Sequence, residues 1–496
     1  MANDPREHAL YTATQVRLID QVAISRLRIA GPELMRRAAL AAWQLLRRRW
    51  PQARRLLVLA GGGNNGGDAF ELAHLALRDG LAVEVLALTA ASTGDAGVMR
   101  AAFVAAGGAV VVATAGLVVP MADVCVDGLF GSGLARDVDG VARGLIEQVN
   151  ASGMPVLALD VPSGLDADRG VPRAVAMRAA ATLCFVAWKR GLFTAQGAEY
   201  CGERELATLD IPLTAYEEFA AGANLLGADV FASLPRRRAH ANKGDCGHVL
   251  VVGGDHGFGG AVQLCAAAAL RSGAGLVSVA THAMHVGALN AALPEAMAHG
   301  VEEDADLQAL LARASVIALG PGLGQSDWSH HLFAAALAVE KPCVVDADAL
   351  NLLARMPREL GAHCVITPHP GEAARLLGCS VHQVQADRFE SVRALAKRFN
   401  AMAVLKGSGS LIAAPDGRIA VCAWGNPGMA SGGMGDLLTG VIAALLAQGL
   451  DAWQAAGLGV AVHARAGDLA AASGERGMIA TDLLPHLRIM LNGRFA

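Results

Sequence analysis

Short unbroken apolar runs, rich in valine and leucine, alternate along the chain with longer alanine- and leucine-rich stretches. In the first half the runs are RLLVLAG (55–61), VEVLALT (83–89), DVCVDGLFG (123–131) and PVLALDVPSG (155–164), each ending in glycine or polar residues. A strand buried on both faces reads as such a run, and helices between the runs cover a parallel sheet on both sides. The rhythm weakens across 209–245. It resumes with HVLVVGG (248–254), GLVSVAT (275–281), VIALGPG (316–322), PCVVDADAL (342–350) and CVITPHPGE (364–372). The pattern predicts an α/β protein of two domains, residues 1–225 and 226–496. One stretch, 101–122, has no charged residue and is long enough to span a bilayer. Gly107 and Gly108 divide it, and the β-branched AVVVAT after them predicts helix end, turn and strand in place of a membrane span.

Composition narrows the class. Of the 496 residues, 53% are hydrophobic and 17% charged, as in a well-buried globule and not a disordered chain. The formal charge is −4, and the basic clusters RRRW and RRRAH are short and isolated, so no nucleic-acid partner is expected. Nine cysteines are scattered singly without a C-x-x-C, which suits buried thiols in a reducing compartment and gives no disulfide or zinc framework. The N-terminus carries charges where a signal peptide needs an apolar core, so a cytoplasmic location is expected, with no membrane partner. Large two-domain α/β enzymes often assemble, which leaves a homo-oligomer open.

Chemistry gathers where strands end. AGGGNNGGDAF (60–70) follows one strand and precedes a helix, and its glycines let backbone amides approach an anion at the helix terminus. VDGLFGSGLARDVDG (126–140) and LDVPSGLDAD (159–168) also place Asp, Ser and Gly just after strands. In a doubly wound sheet such loops converge on one crevice. A tight structural turn is the plainer reading of each loop taken alone. Together, Asn64-Asn65-Gly66-Gly67-Asp68, Asp127 with Gly131-Ser132-Gly133-Leu134, and Asp160-Val161-Pro162-Ser163-Gly164 resemble the YjeF N-terminal family of NAD(P)H-hydrate epimerases, over about 12–218. That resemblance implies a doubly wound, Rossmann-like three-layer domain. Asn64 to Asp68, the loop Gly131, Ser132, Gly133, Leu134, Ala135, Arg136 and Asp137, and Asp160 would bind the hydrated dinucleotide. Asn65, Asp127 and Ser163 would hold a potassium ion, a donor set of oxygens suited to a hard cation. Asp160 would be the acid/base for inversion at C6 of the hydrated ring; a carboxylate capping the turn 162–164 is the competing reading. Ala69, Gly128 and Asp137 depart from the family pattern, and Asp137 would oppose a phosphate.

In the second half, 244–281, GPGLG (320–324), DADALNLL (346–353), TPHPGEAARLL (367–377), KGSGS (406–410) and GNPGMASGGMGDLLTG (425–440) occur in order. Together they resemble the ADP-dependent NAD(P)H-hydrate dehydratase family, of ribokinase-like α/β fold, over about 226–494. The two domains in one chain match bifunctional NAD(P)H-hydrate repair enzymes. The implied reaction epimerises the R and S hydrates, then dehydrates the S form at the expense of ADP, giving NAD(P)H, AMP and phosphate. Glycines 432–435 at a helix start (expected at Leu437) would form an anion hole. Asp436 would take the proton from the attacking hydroxyl, kept ionised by the helix dipole. An ordinary helix N-cap is the plainer reading of Asp436. Lys406, Gly407, Ser408, Gly409, Ser410 and Gly435 would hold the AMP moiety, with magnesium escorting the nucleotide. Ala261, Gly322 and His369 would line the substrate pocket, although His369 between two prolines also reads as a loop brace. Asp346, Asp348 and Asn351 would support the site or cap a helix. Met434 and Ser410 depart from the family residues. A small-molecule kinase fused to a silent binding domain is the alternative function.

Overall fold

The structure is a computed structural model describing residues 4–302 and 304–493. The chain divides into two compact units between Asn224 and Leu225. In the first, seven parallel strands lie in the order Val110–Val112, Ala82–Ala87, Arg55–Ala60, Val124–Gly128, Val156–Leu159, Ala181–Phe185 and Glu203–Ala207. The sheet grows one way from Arg55–Ala60 and then the other way from Val124–Gly128. That reversal opens a crevice at the carboxyl ends of these two strands.

The unbroken apolar run of the central strand has a direct cause. Successive side chains point to opposite faces. Leu56, Val58 and Ala60 pack with Phe70, Ala39 and Leu46 in one core, while Leu57 and Leu59 pack with Ile146 and Val149 in another. The helices Gly31–Arg49 and Asn64–Arg78 supply the first layer and Gly140–Ser152 the second. In the stretch 101–122, the helix Gly94–Ala105 ends, Gly107 turns at φ +92, and Val110–Val112 forms the edge strand. No helix among the described residues is long and apolar enough to cross a membrane.

The second unit repeats the logic with different wiring. Met297–Gly300, Leu276–Thr281, His248–Val252, Val316–Leu319, Cys343–Val345, Val365–Ile366 and Met402–Leu405 run parallel in that order. Antiparallel Ser410–Ala413 and Ile419–Cys422 extend the edge. Strand order reverses between His248–Val252 and Val316–Leu319. The helix Met434–Ala447 is buried along nearly its whole length and packs in one core with Gly259–Arg271 and Ala452–Ala470.

Candidate active sites

In the first unit the loops after Ala60, Gly128 and Leu159 border a cavity of about 850 Å³. Asn64, Asn65, Asp68, residues 131–136 and Asp160 line it. Asn64 opens the helix Asn64–Arg78, with Gly63 in the cap position, so the Asn-Asn-Gly-Gly-Asp motif is its first turn. Gly66 and Gly67 are not on the cavity wall. A Cβ on Gly66 would stand 2.0 Å from the Gly61 carbonyl oxygen, and one on Gly67 2.9 Å from Ala96 Cα. These glycines bring the helix close to the strand loop and to the neighbouring helix. Asp137 lines a separate, smaller pocket of about 360 Å³ instead.

Asp160 adopts φ +67, uncommon for a residue with a Cβ and a form of strain found at functional sites. Its Oδ2 accepts from the Ser132 amide at 3.1 Å, and its Oδ1 from Lys189 Nζ. Among the described residues its carboxylate makes no hydrogen bond to the turn 162–164, so the capping reading of Asp160 fails. Lys189 is fully buried and also donates to the Phe185 carbonyl at 2.7 Å. It is placed by the short strand Trp188–Lys189, where Tyr11 pairs with Lys189. Burial alone would push Asp160 up, but the Lys189 charge and hydrogen bonds hold it below the usual carboxylate range. Three more carboxyls, those of Asp20, Asp68 and Asp95, face the same cavity. Burial raises Asp20, on the helix Ala13–Ser25, to about 6, and raises Asp68 well above its ordinary value.

Asp127, Ser163 and Asn65 are all buried, and the first two are joined. Asp127 accepts from Ser163 Oγ at 2.6 Å and from the Ser163 amide at 2.8 Å, while Asn65 Nδ2 donates to the Leu159 carbonyl at 3.1 Å. Asn65 Oδ1 is buried with no hydrogen-bond partner. An orphaned buried carbonyl oxygen, with a buried hydroxyl and carboxyl from the neighbouring strand ends, is a donor set that fits a hard cation.

The second unit gathers its polar groups around Lys406. Lys406 Nζ lies 2.7 Å from Asp346 Oδ1 and 3.9 Å from Glu372 Oε2, and Thr439 Oγ1 donates to Asp346 Oδ2 at 2.8 Å. Asp346 precedes the helix Ala347–Arg355 but makes no side-chain cap bond there, so its capping reading fails. Asp348 accepts from the Gly324 amide at 2.9 Å and from Asn351 at 3.3 Å, tying the loop 320–324 to this cluster. Ala261 and Gly322 meet, since a Cβ on Gly322 would stand 3.1 Å from that of Ala261. His369 is the brace it resembled. Its Nδ1 accepts from the Gly371 amide at 2.9 Å, its own amide donates to Glu372 at 2.7 Å, and it caps the helix Pro370–Leu377. Its imidazole remains half exposed. The loop 407–410 is pinned from beneath by buried Arg388, which donates to the Leu405 and Lys406 carbonyls at 3.0 and 3.2 Å. Gly407 stands over that guanidinium at φ +136, and Ser410 Oγ donates back to the Gly407 carbonyl at 3.0 Å.

The glycine-rich helix starts earlier than expected, at Met434, with Gly433 as the cap at φ +87. Asp436 is therefore the third helical residue and not the N-cap. Its carboxylate makes no hydrogen bond among the described residues. The expectation that the dipole keeps it ionised is overturned: burial, then Asp346, outweighs the pull of Lys406 and raises Asp436 to about 7. A helix dipole contributes up to about 2 kcal/mol at a partly buried position, less than that displacement requires. Burial likewise raises Glu372 to about 7. Gly435 passes close by: a Cβ there would stand 3.2 Å from Lys406 Nζ and 3.3 Å from Asp346 Oδ2.

A family profile described as YjeF-related protein N-terminus matches residues 31–191, and one described as NAD(P)H-hydrate dehydratase matches 249–488. A bifunctional NAD(P)H-hydrate repair enzyme of Coxiella burnetii is 44% identical, over 97% of this chain and 99% of its own length. The chain belongs to the bifunctional NAD(P)H-hydrate repair enzyme family. The member from Escherichia coli is 40% identical over 98% of this chain and 94% of its own. A ribokinase-like superfamily protein of Enterococcus faecalis superposes with a TM-score of 0.52 at 29% identity, covering 55% of this chain and 96% of that one. The chain is thus a bifunctional NAD(P)H-hydrate epimerase and dehydratase.

Sequence reasoning missed Asp20, Lys189, Glu372 and Arg388. Asp20 follows Ile19 on the buried side of its helix, a carboxyl where the spacing from Val16 to Ala23 calls for apolar residues. Lys189 and Arg388 are among the largest fully buried side chains. Lys189 closes the apolar stretch LCFVAW, which is the only trace of its burial in the sequence.

Proposed function

We propose that residues 1–225 invert C6 of hydrated NADH and NADPH, and that residues 226–496 dehydrate the S hydrate with ADP, releasing AMP and phosphate. The observation that carries this reading is Asp436: an unbonded carboxylate in the first turn of a helix, next to Lys406 and the closely approaching Gly435. The amides of Met434, Gly435 and Asp436 have no partner within a helix at this end and point where a phosphoryl group can be received. Asp436 takes the proton of the C6 hydroxyl as its oxygen attacks the β-phosphoryl group. Departure of phosphate then restores the ring double bond. Lys406 and the loop Gly407, Ser408, Gly409 and Ser410 hold the AMP moiety, while Ala261, Gly322 and His369 face the dinucleotide.

Magnesium fits as a companion of the nucleotide. The Asp346 carboxylate is committed to Lys406 and Thr439, so phosphate oxygens and water supply the ion's ligands. The ion supplies charge neutralisation at the phosphates. Potassium fits Asn65, Asp127 and Ser163, where it supplies a fixed positive charge beside the dinucleotide cavity. In that cavity Asn64, Asn65, Asp68 and residues 131–136 contact the substrate, Gly66 and Gly67 shape the turn, and Asp160 is the acid/base.

The test mixes the protein with racemic hydrated NADH, magnesium and either ADP or ATP. Absorbance of the restored dihydronicotinamide should rise with stoichiometric AMP when ADP is given. Accumulation of a phosphorylated product without that absorbance would establish the kinase alternative.

A further inference from the structure

The pairing of Asp160 with Lys189 leaves the inversion short of a proton. Releasing the C6 hydroxyl as water requires protonation of its oxygen, and a carboxylate held ionised by a buried lysine does not supply it. Among the other carboxyls on the same cavity, that of Asp68 fits the need. Asp68 lies one turn into the helix Asn64–Arg78, lines the cavity, is only 8% exposed, and makes no hydrogen bond among the described residues. Burial first, then Asp160 and Asp20, raises it well above its ordinary value, against the smaller pull of Lys189. An environment of that kind favours the protonated, neutral form of the carboxyl over the charged one. The surroundings thus push the two acids in opposite directions on the wall of one cavity, the arrangement that separates an acid from a base.

We propose that Asp68 and Asp160 act as an acid–base pair, Asp68 protonating the leaving C6 hydroxyl and Asp160 deprotonating the water that adds to the other side of the ring. This rests on the epimerase reading above. In the first step the C6–O bond breaks, the Asp68 proton goes to the departing oxygen, and water leaves. The lone pair of the ring nitrogen stabilises the cation at C6. In the second step a water oxygen bonds to C6 from the opposite side and its proton passes to Asp160. The ring regains its charge and composition with C6 inverted. Asp68 ends ionised and Asp160 protonated, so the opposite epimer reacts by the same steps in reverse, and between turnovers of one epimer Asp160 gives its proton to solvent while Asp68 takes one up. Lys189 is a positioning residue: it fixes the charge and direction of Asp160.

The experiment uses the full-length protein without nucleotide, so that only epimerisation occurs, with a single purified epimer of hydrated NADH and chromatographic separation of the two forms. Asp68→Asn should lower kcat roughly 10²–10⁴-fold with KM within a few-fold of native. In ¹⁸O-labelled water, each inversion by the native protein should place labelled oxygen at C6. Native kcat with a raised KM in Asp68→Asn would reduce Asp68 to a binding residue and overturn the pair. Inversion with retention of the original oxygen would also overturn it, because the ring would then open at the C6–N bond. The labelling is done on native protein and so does not depend on the variant's folding. Failure of the native protein to interconvert the epimers would overturn the epimerase reading itself.

Discussion

Asp436 and Asp160 show how the same side chain is set to different tasks. Burial dominates at Asp436, which rises to about 7, whereas the buried Lys189 overrides burial at Asp160 and keeps it low. If Asp436 is the base, only its ionised form works, and that form is lost as pH falls through about 7. The dehydratase kcat/KM should therefore rise with pH up to about that value, and Asp436→Asn should abolish the limb while costing roughly 10²–10⁴-fold in rate at saturating ADP. ADP affinity, measured by titration, should hold or tighten in Asp436→Asn, because one negative charge is gone. Lys406→Ala should do the reverse, weakening ADP binding with a smaller effect at saturation. Loss of nucleotide affinity alone in Asp436→Asn would make Asp436 a ligand of the nucleotide's metal and not the base. At this scale the acids were legible from their glycine-rich company, and their partners were not. Lys189 comes from a segment with no motif, Glu372 lay unremarked inside TPHPGEAARLL, and only folding brings them to Asp160 and Lys406.

At the level of elements, the apolar runs foretold the strands that lie at the centre of each sheet. Each such run is buried on two faces and bounded by glycine or polar residues. Ala181–Phe185 (ATLCF) and Glu203–Ala207 (ERELA) escaped, the first for want of a flanking glycine, the second because an edge strand carries charge. The antiparallel pair Ser410–Ala413 and Ile419–Cys422 was hidden behind KGSGS, read only as a nucleotide loop. The misplaced start of the helix Met434–Ala447 has a similar cause: Gly435 reads as loop by propensity, but at this helical position a Cβ would crowd Lys406 Nζ and Asp346 Oδ2 at 3.2 and 3.3 Å. Gly433 is the critical cap. Its φ is +87, and an added Cβ would stand 2.5 Å from Leu264 Cδ1. Gly433→Ala should cost about 1–2 kcal/mol in backbone strain alone and turn the helix start away from Lys406. Thermal unfolding and ADP titration should both register the change; an unaltered midpoint and affinity would show that the cap conformation is dispensable.

On the scale of the whole molecule, the core clusters fall wholly within one unit or the other. Each set of acids is likewise assembled within a single unit, Asp68 and Asp160 in the first, Asp346 and Asp436 in the second. If the chemistry divides the same way, the two activities are coupled only through free hydrate, and a defect in either unit can be rescued from another molecule. Full-length Asp160→Asn, given racemic hydrate and ADP under conditions where spontaneous epimerisation is negligible, should convert the S form and stop with about half of the substrate left. Asp436→Asn should restore no dihydronicotinamide beyond its residual rate, yet still interconvert the epimers. Mixing the two variants should carry the reaction to completion, since R hydrate inverted by one chain is dehydrated by the other. Full conversion by Asp160→Asn alone would mean that the second unit accepts both epimers, and the division of labour would fall. A mixture that also stalls at half would mean that hydrate passes only within one chain.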